Sequence, residues 1–292
     1  MSVARECVRI AVGTCGFSYK DWVGPFYAPG TKPAEMLAAY ARRFSVVEID
    51  SSYYGVPSRA TVATWLRRSP DEFRFTAKLP STATHLPKEL QGTMHPDVVA
   101  YRDAFGELAR AGKFACAVAQ FPNSFRPGDD AAAHLRRLRE TLGDMPLVAE
   151  FRHRDWQTND TLVLLRELGI GLVVVDQPQF ASLLRPTADV TSPIAYVRMH
   201  GRNYGTWWTG DNETRYDYCY SDEELGPWAD RLVDFAASPE VREVFGFFNN
   251  HRRAQAVRNA EAFEAMLAER FGPGILDRRE PDTAAQTELP LE

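Results

Sequence analysis

The sequence predicts a single (β/α)8 TIM barrel. Eight short apolar runs recur along the 292 residues, and a helix-like stretch follows most of them. Each run also ends in a polar cluster. Strands alternating with helices imply a parallel sheet, and eight such units close into a barrel that works at the C-terminal strand ends. No repeat and no Gly/Ser-rich linker divides the chain. One domain is therefore expected over residues 9–272, after an N-terminal tail at 1–8. The polar, Pro-containing stretch 273–292 reads as a flexible C-terminal tail.

The first strand is read at Arg9–Gly13, followed by a helix that Lys32-Pro33 opens and that runs through Arg43. Pro33 falls in the first turn, where a missing N–H costs little. Val46–Asp50 is the second strand, and Ser58 caps a helix through Arg67. Phe73–Lys78 is the third strand. An excursion from Pro80 to Pro96 precedes a helix through Ala111. Ala115–Gln120 and a helix from Asp130 to Leu142 form the fourth unit. Leu147–Phe151 leads into a helix ending at Leu168, and Gly171–Asp176 is the sixth strand. The stretch after it, Pro178 to Pro186, is short and weakly patterned. Ile194–His200 is followed by a long aromatic loop, Arg202 to Tyr220, and then by a helix from a Ser221 cap to Phe235. Val244–Phe248 and a helix from Ala254 to Phe271 complete the series.

With 45% hydrophobic and 25% charged residues, the chain has ample material for one globular core. A net charge of −5 argues against capture of nucleic acid by a broadly basic surface, but leaves room for a local basic groove. The apolar runs fall far short of a membrane span, and the first residues carry no apolar stretch of signal-peptide length. A cytoplasmic protein with no membrane partner is expected. Cys7, Cys15, Cys116 and Cys219 have neither zinc-site nor redox-pair spacing and read as free thiols.

Strand alternation sorts side chains between the two faces of a barrel wall. Val47 and Ile49 share one face, so Glu48 and Asp50 share the inner one. The same reading turns Lys78, Gln120, Glu150, Asp176, Arg198 and His200 into one mouth. Charges there must pair with one another, with water or with a ligand.

Three chemistries fit. Glu150, Asp176 and His200 end three consecutive strands, and a divalent metal is one possible cofactor for such a set. Glu48 and Glu150, with His200, form an acid/base set of the kind that cleaves glycosides. Lys78, Arg152 and Arg198 form an anion site. Gln120, Asn249 and Asn250 add neutral hydrogen bonding for a substrate. Tyr53, Trp156 and Trp208 offer flat faces to sugars or bases, as do the other aromatics of the long loop.

These strand-end residues resemble the YecE-like family, also called domain of unknown function 72. The resemblance covers about Ile10 to Phe271. It rests on Gly-Thr-Cys-Gly-Phe-Ser-Tyr-Lys-Asp-Trp (13–22), Val-Glu-Ile-Asp-Ser-Ser-Tyr-Tyr (47–54), Phe-Arg-Phe-Thr-Ala-Lys (73–78), Gln-Phe-Pro (120–122), Glu-Phe-Arg-His (150–153) with Trp156, Tyr-Val-Arg-Met-His-Gly (196–201) and Phe-Asn-Asn-His (248–251). It implies a TIM barrel and supplies no catalytic roles. Members of that family commonly carry Ser at the position of Cys15. Their barrel is often likened to metal-dependent sugar isomerases and endonucleases.

The expected function is an enzyme that hydrolyses or isomerises a phosphorylated, sugar-containing or nucleic-acid substrate. The alternative is a non-catalytic nucleic-acid-binding module that uses the aromatic loop and a local Arg/Lys pocket. A third reading is an inactive scaffold whose charges only hold the fold together.

Overall fold

The computed structural model describes residues 8–86 and 88–277. Eight parallel strands stand in the order β1-β8-β7-β6-β5-β4-β3-β2. They are β1 (Ile10–Thr14), β2 (Val46–Ile49), β3 (Arg74–Lys78), β4 (Phe114–Gln120), β5 (Leu147–Glu150), β6 (Ile170–Asp176), β7 (Ile194–Met199) and β8 (Glu243–Phe248). The ring closes between β1 and β2, where Cys15 bridges to Glu48 and the Gly16 N–H donates to the Glu48 carbonyl at 2.7 Å. Gly13 permits that approach, because a Cβ there would lie 2.4 Å from the Val46 carbonyl oxygen.

The main helices are α1 (Pro33–Tyr40), α2 (Arg59–Arg68), α3 (Pro96–Arg110), α4 (Asp129–Leu142), α5 (Asn159–Glu167), α6 (Asp222–Ala237) and α7 (Gln255–Phe271). α4 shows why they dock: Ala131, Leu135, Leu138 and Leu142 form one buried stripe at helical spacing. Ser58 and Ser221 cap α2 and α6 as the sequence suggests. No helix of the described residues is long and apolar enough to cross a membrane.

The strand wall separates two apolar clusters. Val118, Val148, Val173, Val175, Tyr196, Phe245 and Phe247 fill the interior, while the larger cluster lies between strands and helices. The inner residues stop below the strand ends and leave the mouth to polar groups.

The segment between β6 and β7 forms no helix. It is held instead by the loop after β5: the Leu184 N–H donates to the Arg152 carbonyl, and the Arg154 N–H to that of Ser182. The excursion after β3 is pinned by buried His134, whose Nε2 donates to the Ala83 carbonyl while Nδ1 accepts the Gly92 N–H. The expected flexible tail is packed as far as Asp277. Leu276 is 4% exposed and bridges to Ile10, so its side chain extends the core beyond residue 272. Residues 1–7, including Cys7, and 278–292 lie outside the described residues. Cys15, Cys116 and Cys219 are free thiols.

Candidate active site

The barrel mouth is organised around one guanidinium. Arg198 leaves β7 on the inner face and is completely buried. Its Nη1 donates to Glu150 at 2.7 Å and to Gln120 at 2.8 Å. Its Nη2 donates to Glu48 at 2.5 Å and approaches Asp50 and the Cys15 sulfur at 3.5 and 3.6 Å. Four other strands thus converge on one cation. The second Glu48 oxygen accepts the Tyr196 hydroxyl at 2.6 Å.

The two glutamates differ in state. Burial would raise both, because a charged carboxylate loses water. At Glu150 the nearby Arg152 and Arg198 outweigh burial and hold the carboxyl well below its ordinary range. At Glu48 burial dominates over Arg198, the Asp50 charge adds to it, and the group rises to about 7. Asp50 is also desolvated, but Lys78 and Arg198 more than compensate and lower it. Glu150 is therefore a fixed anion, and protonation near neutrality belongs to the Glu48–Asp50 pair.

His200 is a fixed neutral group. Burial pushes it down to about 3 despite Glu150 beside it. Its ring lies between Asn249 Nδ2 at 3.0 Å and a Glu150 oxygen at 3.1 Å. The amide N–H donates to Nδ1, so Nε2 carries the proton and donates to the carboxylate. Cys15 is raised well above its ordinary value, first by burial and then by Glu48, so its thiol stays protonated and is no nucleophile.

Above this layer lies a cleft of about 500 Å³. Asp50, Lys78, Gln120, Arg198 and Asn249 contribute its polar wall, and Phe17, Tyr19, Tyr53, Tyr54 and Tyr216 much of its aromatic wall. The Lys78 ammonium lies 4.5 Å from the Tyr53 ring centroid and 3.8 Å from Asp50. Tyr19 stacks on His251 at 4.7 Å. The turn beyond His251 is strained, with Arg253 and Ala254 both at positive φ, a backbone cost that active-site loops often carry.

The family profile described as "Protein of unknown function DUF72" matches residues 11–285. The chain belongs to the DUF72 family. Among relatives, UPF0759 protein YunF of Bacillus subtilis is 28% identical over 274 residues, which cover 88% of this chain and 94% of YunF. A DUF72 crystal structure from Thermotoga maritima is 36% identical with TM-score 0.81, covering 89% of this chain and 99% of that one. A DUF72 structure from Enterococcus faecalis is 27% identical with TM-score 0.77, covering 88% and 95%. D-psicose 3-epimerase from Clostridium cellulolyticum, at 9% identity and TM-score 0.52 over 88% and 99%, shares the barrel fold alone.

Within this DUF72 barrel the structure brings Glu48, Glu150, His200, Gln120, Arg198 and Asn249 into one connected network. Lys78 and Tyr53 stand on the cleft wall. Arg152 pairs with Glu150 at 2.8 Å and lies near the Trp207 ring, off the cleft wall.

Four expected site residues stand elsewhere. Asp176 does not enter the mouth. Every residue of β6 is buried, so its apolar pattern carries no face signal, and Val173 and Val175 take the inner face. Asp176 shares the outer face with Val174 and accepts from Arg202, Tyr220 and Trp228. The inward group at this strand end is Gln177, which bonds Arg152. Asn250 also faces outward, donating to Asn259 and to the Tyr218 carbonyl. Trp156 stacks on Phe151 in the outer core and donates to the Phe125 carbonyl. Trp208 is 51% exposed beside Phe180, away from the cleft wall. The polar pair Asp176-Gln177 was read through Asp176 rather than Gln177, and Arg215, which lines the cleft, was missed. Nothing in the local sequence marks Arg215, because packing of the loop after β7 brings it into place.

The expected metal set of Glu150, Asp176 and His200 is therefore not assembled. Cys15, Glu48 and Asp50 place ligand atoms within 4.8 Å of one another, but Arg198 Nη2 contacts all three. The cation these groups share is the guanidinium.

Asp176 instead anchors the aromatic loop to α6. Asp176→Ala leaves the Trp228 and Tyr220 donors without their carboxylate and should cost about 3 kcal/mol. Amide exchange should accelerate over residues 202–220. Unchanged exchange there would show that other contacts hold the loop.

Proposed function

We propose that the cleft is the active site of an enzyme that moves protons on a sugar-containing substrate, in the manner of an isomerase. One observation carries this reading: neighbouring carboxyls, Asp50 on the cleft wall and Glu48 behind it, are driven apart in acidity. Such separation sorts acid from base. Asp50 is the group that reaches a substrate, so it would take and return the proton. Lys78 holds Asp50 low, and as Lys78 turns to a substrate oxygen that restraint weakens and Asp50 becomes the stronger base. Glu48 is fully buried and acts through Asp50, as a positioning residue that shares its proton. Of the expected acid/base pair Glu48 and Glu150, Glu150 is disfavoured as the proton donor, since Arg152 and Arg198 hold its carboxyl low. Glu48 and Glu150 also grip the same guanidinium and lie off the cleft wall, which disfavours glycoside cleavage between them.

The test is exchange of carbon-bound hydrogen into D2O, followed by proton NMR across aldoses, ketoses and their phosphates. Asp50→Asn should lower the rate at least about a hundredfold with an unchanged melting temperature. Glu48→Gln should remove the inflection near neutral pH from the rate profile. Absence of exchange in the wild type across this panel would overturn the isomerase reading.

A second reading, single-stranded nucleic-acid binding, draws on Tyr54, Tyr204 and Trp208, which are 74%, 53% and 51% exposed. Such rings can stack on bases. It requires oligonucleotide affinity that falls steeply with salt, and no binding at low salt would remove it.

A further inference from the structure

We infer that the cleft binds a compact oxyanion, the phosphate or carboxylate of its substrate, between Lys78 and Arg215. The inference rests on the cleft being the ligand site proposed above, and it adds the chemical class of the ligand.

Among the described residues the cations of the mouth each face a carboxylate except Arg215. Arg198, Arg152 and Lys78 face Glu48, Glu150 and Asp50. Arg215, on the short helix Asn212–Arg215 of the loop after β7, lines the cleft and faces no carboxylate within ion-pair distance among the described residues. Among the described residues its Nη2 reaches only the Gly210 carbonyl, at 3.3 Å. Its Nε is buried with no acceptor among the described residues. A buried donor without an acceptor is costly, and more so on a charged group.

Lys78 is under-satisfied in the same way. Its side chain is 12% exposed, yet its nearest carboxylate oxygen, on Asp50, lies at 3.8 Å, beyond hydrogen-bond length. The Tyr53 face lies against it, and an aromatic ring leaves the N–H donors unused. Two cations with spare donors thus open on one cavity. A neutral sugar hydroxyl would satisfy one donor but leave the Arg215 charge unmatched. An oxyanion supplies both acceptors and charge, and a guanidinium fork suits it.

The expected anion site of Lys78, Arg152 and Arg198 is thereby redrawn. Arg152 and Arg198 are taken by the carboxylates below. Arg215 comes from a loop, so ligand binding should also order residues 202–220.

Calorimetry with inorganic phosphate, ribose 5-phosphate, ribose and gluconate tests this directly, without turnover. Wild type should bind phosphate, and Arg215→Gln and Lys78→Gln should each weaken it about tenfold or more. Arg215→Lys, which keeps the charge but not the fork, should recover part of the loss. Asp50→Asn should retain phosphate binding. Ribose 5-phosphate binding more tightly than ribose would assign the oxyanion to phosphate, and gluconate doing so would assign it to carboxylate. Either supports the inference. It is overturned if wild type ignores all three anions, if the Arg215 and Lys78 variants bind phosphate unchanged, or if ribose equals both ribose 5-phosphate and gluconate. Melting temperatures without ligand confirm that the variants fold. Absence of proton exchange in the wild type, with its phosphate binding intact, would remove the isomerase reading alone.

Discussion

Arg198→Met is expected to destabilise the protein by about 3–5 kcal/mol, because it strands buried carboxylates around an apolar side chain. The effect is unequal among them. Glu150 keeps Arg152 at 2.8 Å, and Asp50 keeps Lys78 at 3.8 Å. Glu48 keeps the Tyr196 hydroxyl and its contacts with Asp50 and the Cys15 thiol, and no second cation among the described residues. Without the guanidinium, its carboxyl should rise further above 7, since after burial, which raises it, Arg198 is the strongest influence and lowers it. The stability gap to wild type should therefore widen as pH rises above neutrality. Adding Glu48→Gln to Arg198→Met should recover part of the loss at pH 8. Urea unfolding at several pH values reads all of this. A loss under about 1 kcal/mol, of the size seen for exposed ion pairs, would mean that the network is solvated.

The second large effect is a pair of opposed pH dependences. His200 falls from 6.5 to about 3, so between those values the unfolded chain binds a proton that the native state refuses. Stability from His200 is complete above 6.5 and is lost as pH falls. Glu48 rises from 4.5 to about 7, so in that window the native state holds the extra proton. Stability from Glu48 is complete below 4.5 and is lost as pH rises through 7. Each pH unit in a window corresponds to about 1.4 kcal/mol. Between pH 4.5 and 6.5 the two slopes cancel, hiding about 3 kcal/mol from each. Glu48→Gln should expose the His200 slope, with stability gained relative to wild type as pH rises. His200→Gln should expose the opposite slope, lost relative to wild type as pH rises. If both variants track wild type across the window, neither group titrates as argued.

Much of the barrel was legible because strands and helices leave different periods in a sequence. Glu48 between Val47 and Ile49 is the clearest case: apolar neighbours on one face turn the carboxylate to the other, and the structure places it there. Arg198, Gln120, Glu150 and His200 follow from the same parity. β6 shows the limit. In Ile-Gly-Leu-Val-Val-Val-Asp both faces are apolar, so alternation vanishes, and Asp176 was turned the wrong way. Asn249 and Asn250 differ by one residue and hence by one face, and only pairing with β7 decides which looks inward.

What the sequence determined by itself was the order of strands, the closed parallel ring and the end of it that carries polar chemistry. These depend on local period and chain order, which neighbouring residues encode. What the tertiary structure decided was the state of each group. Glu48 and Glu150 are the same residue type at equivalent strand ends, yet one is raised to about 7 and the other held far below its usual range. The difference is the distance to Arg152, and the closeness of Asp50. Arg215 likewise gains its meaning only when the loop after β7 brings it to the cleft. Desolvation and Coulomb energy depend on separation in space, and only folding buries each carboxyl and brings Arg198 to both, across 150 residues from Glu48 and 48 from Glu150.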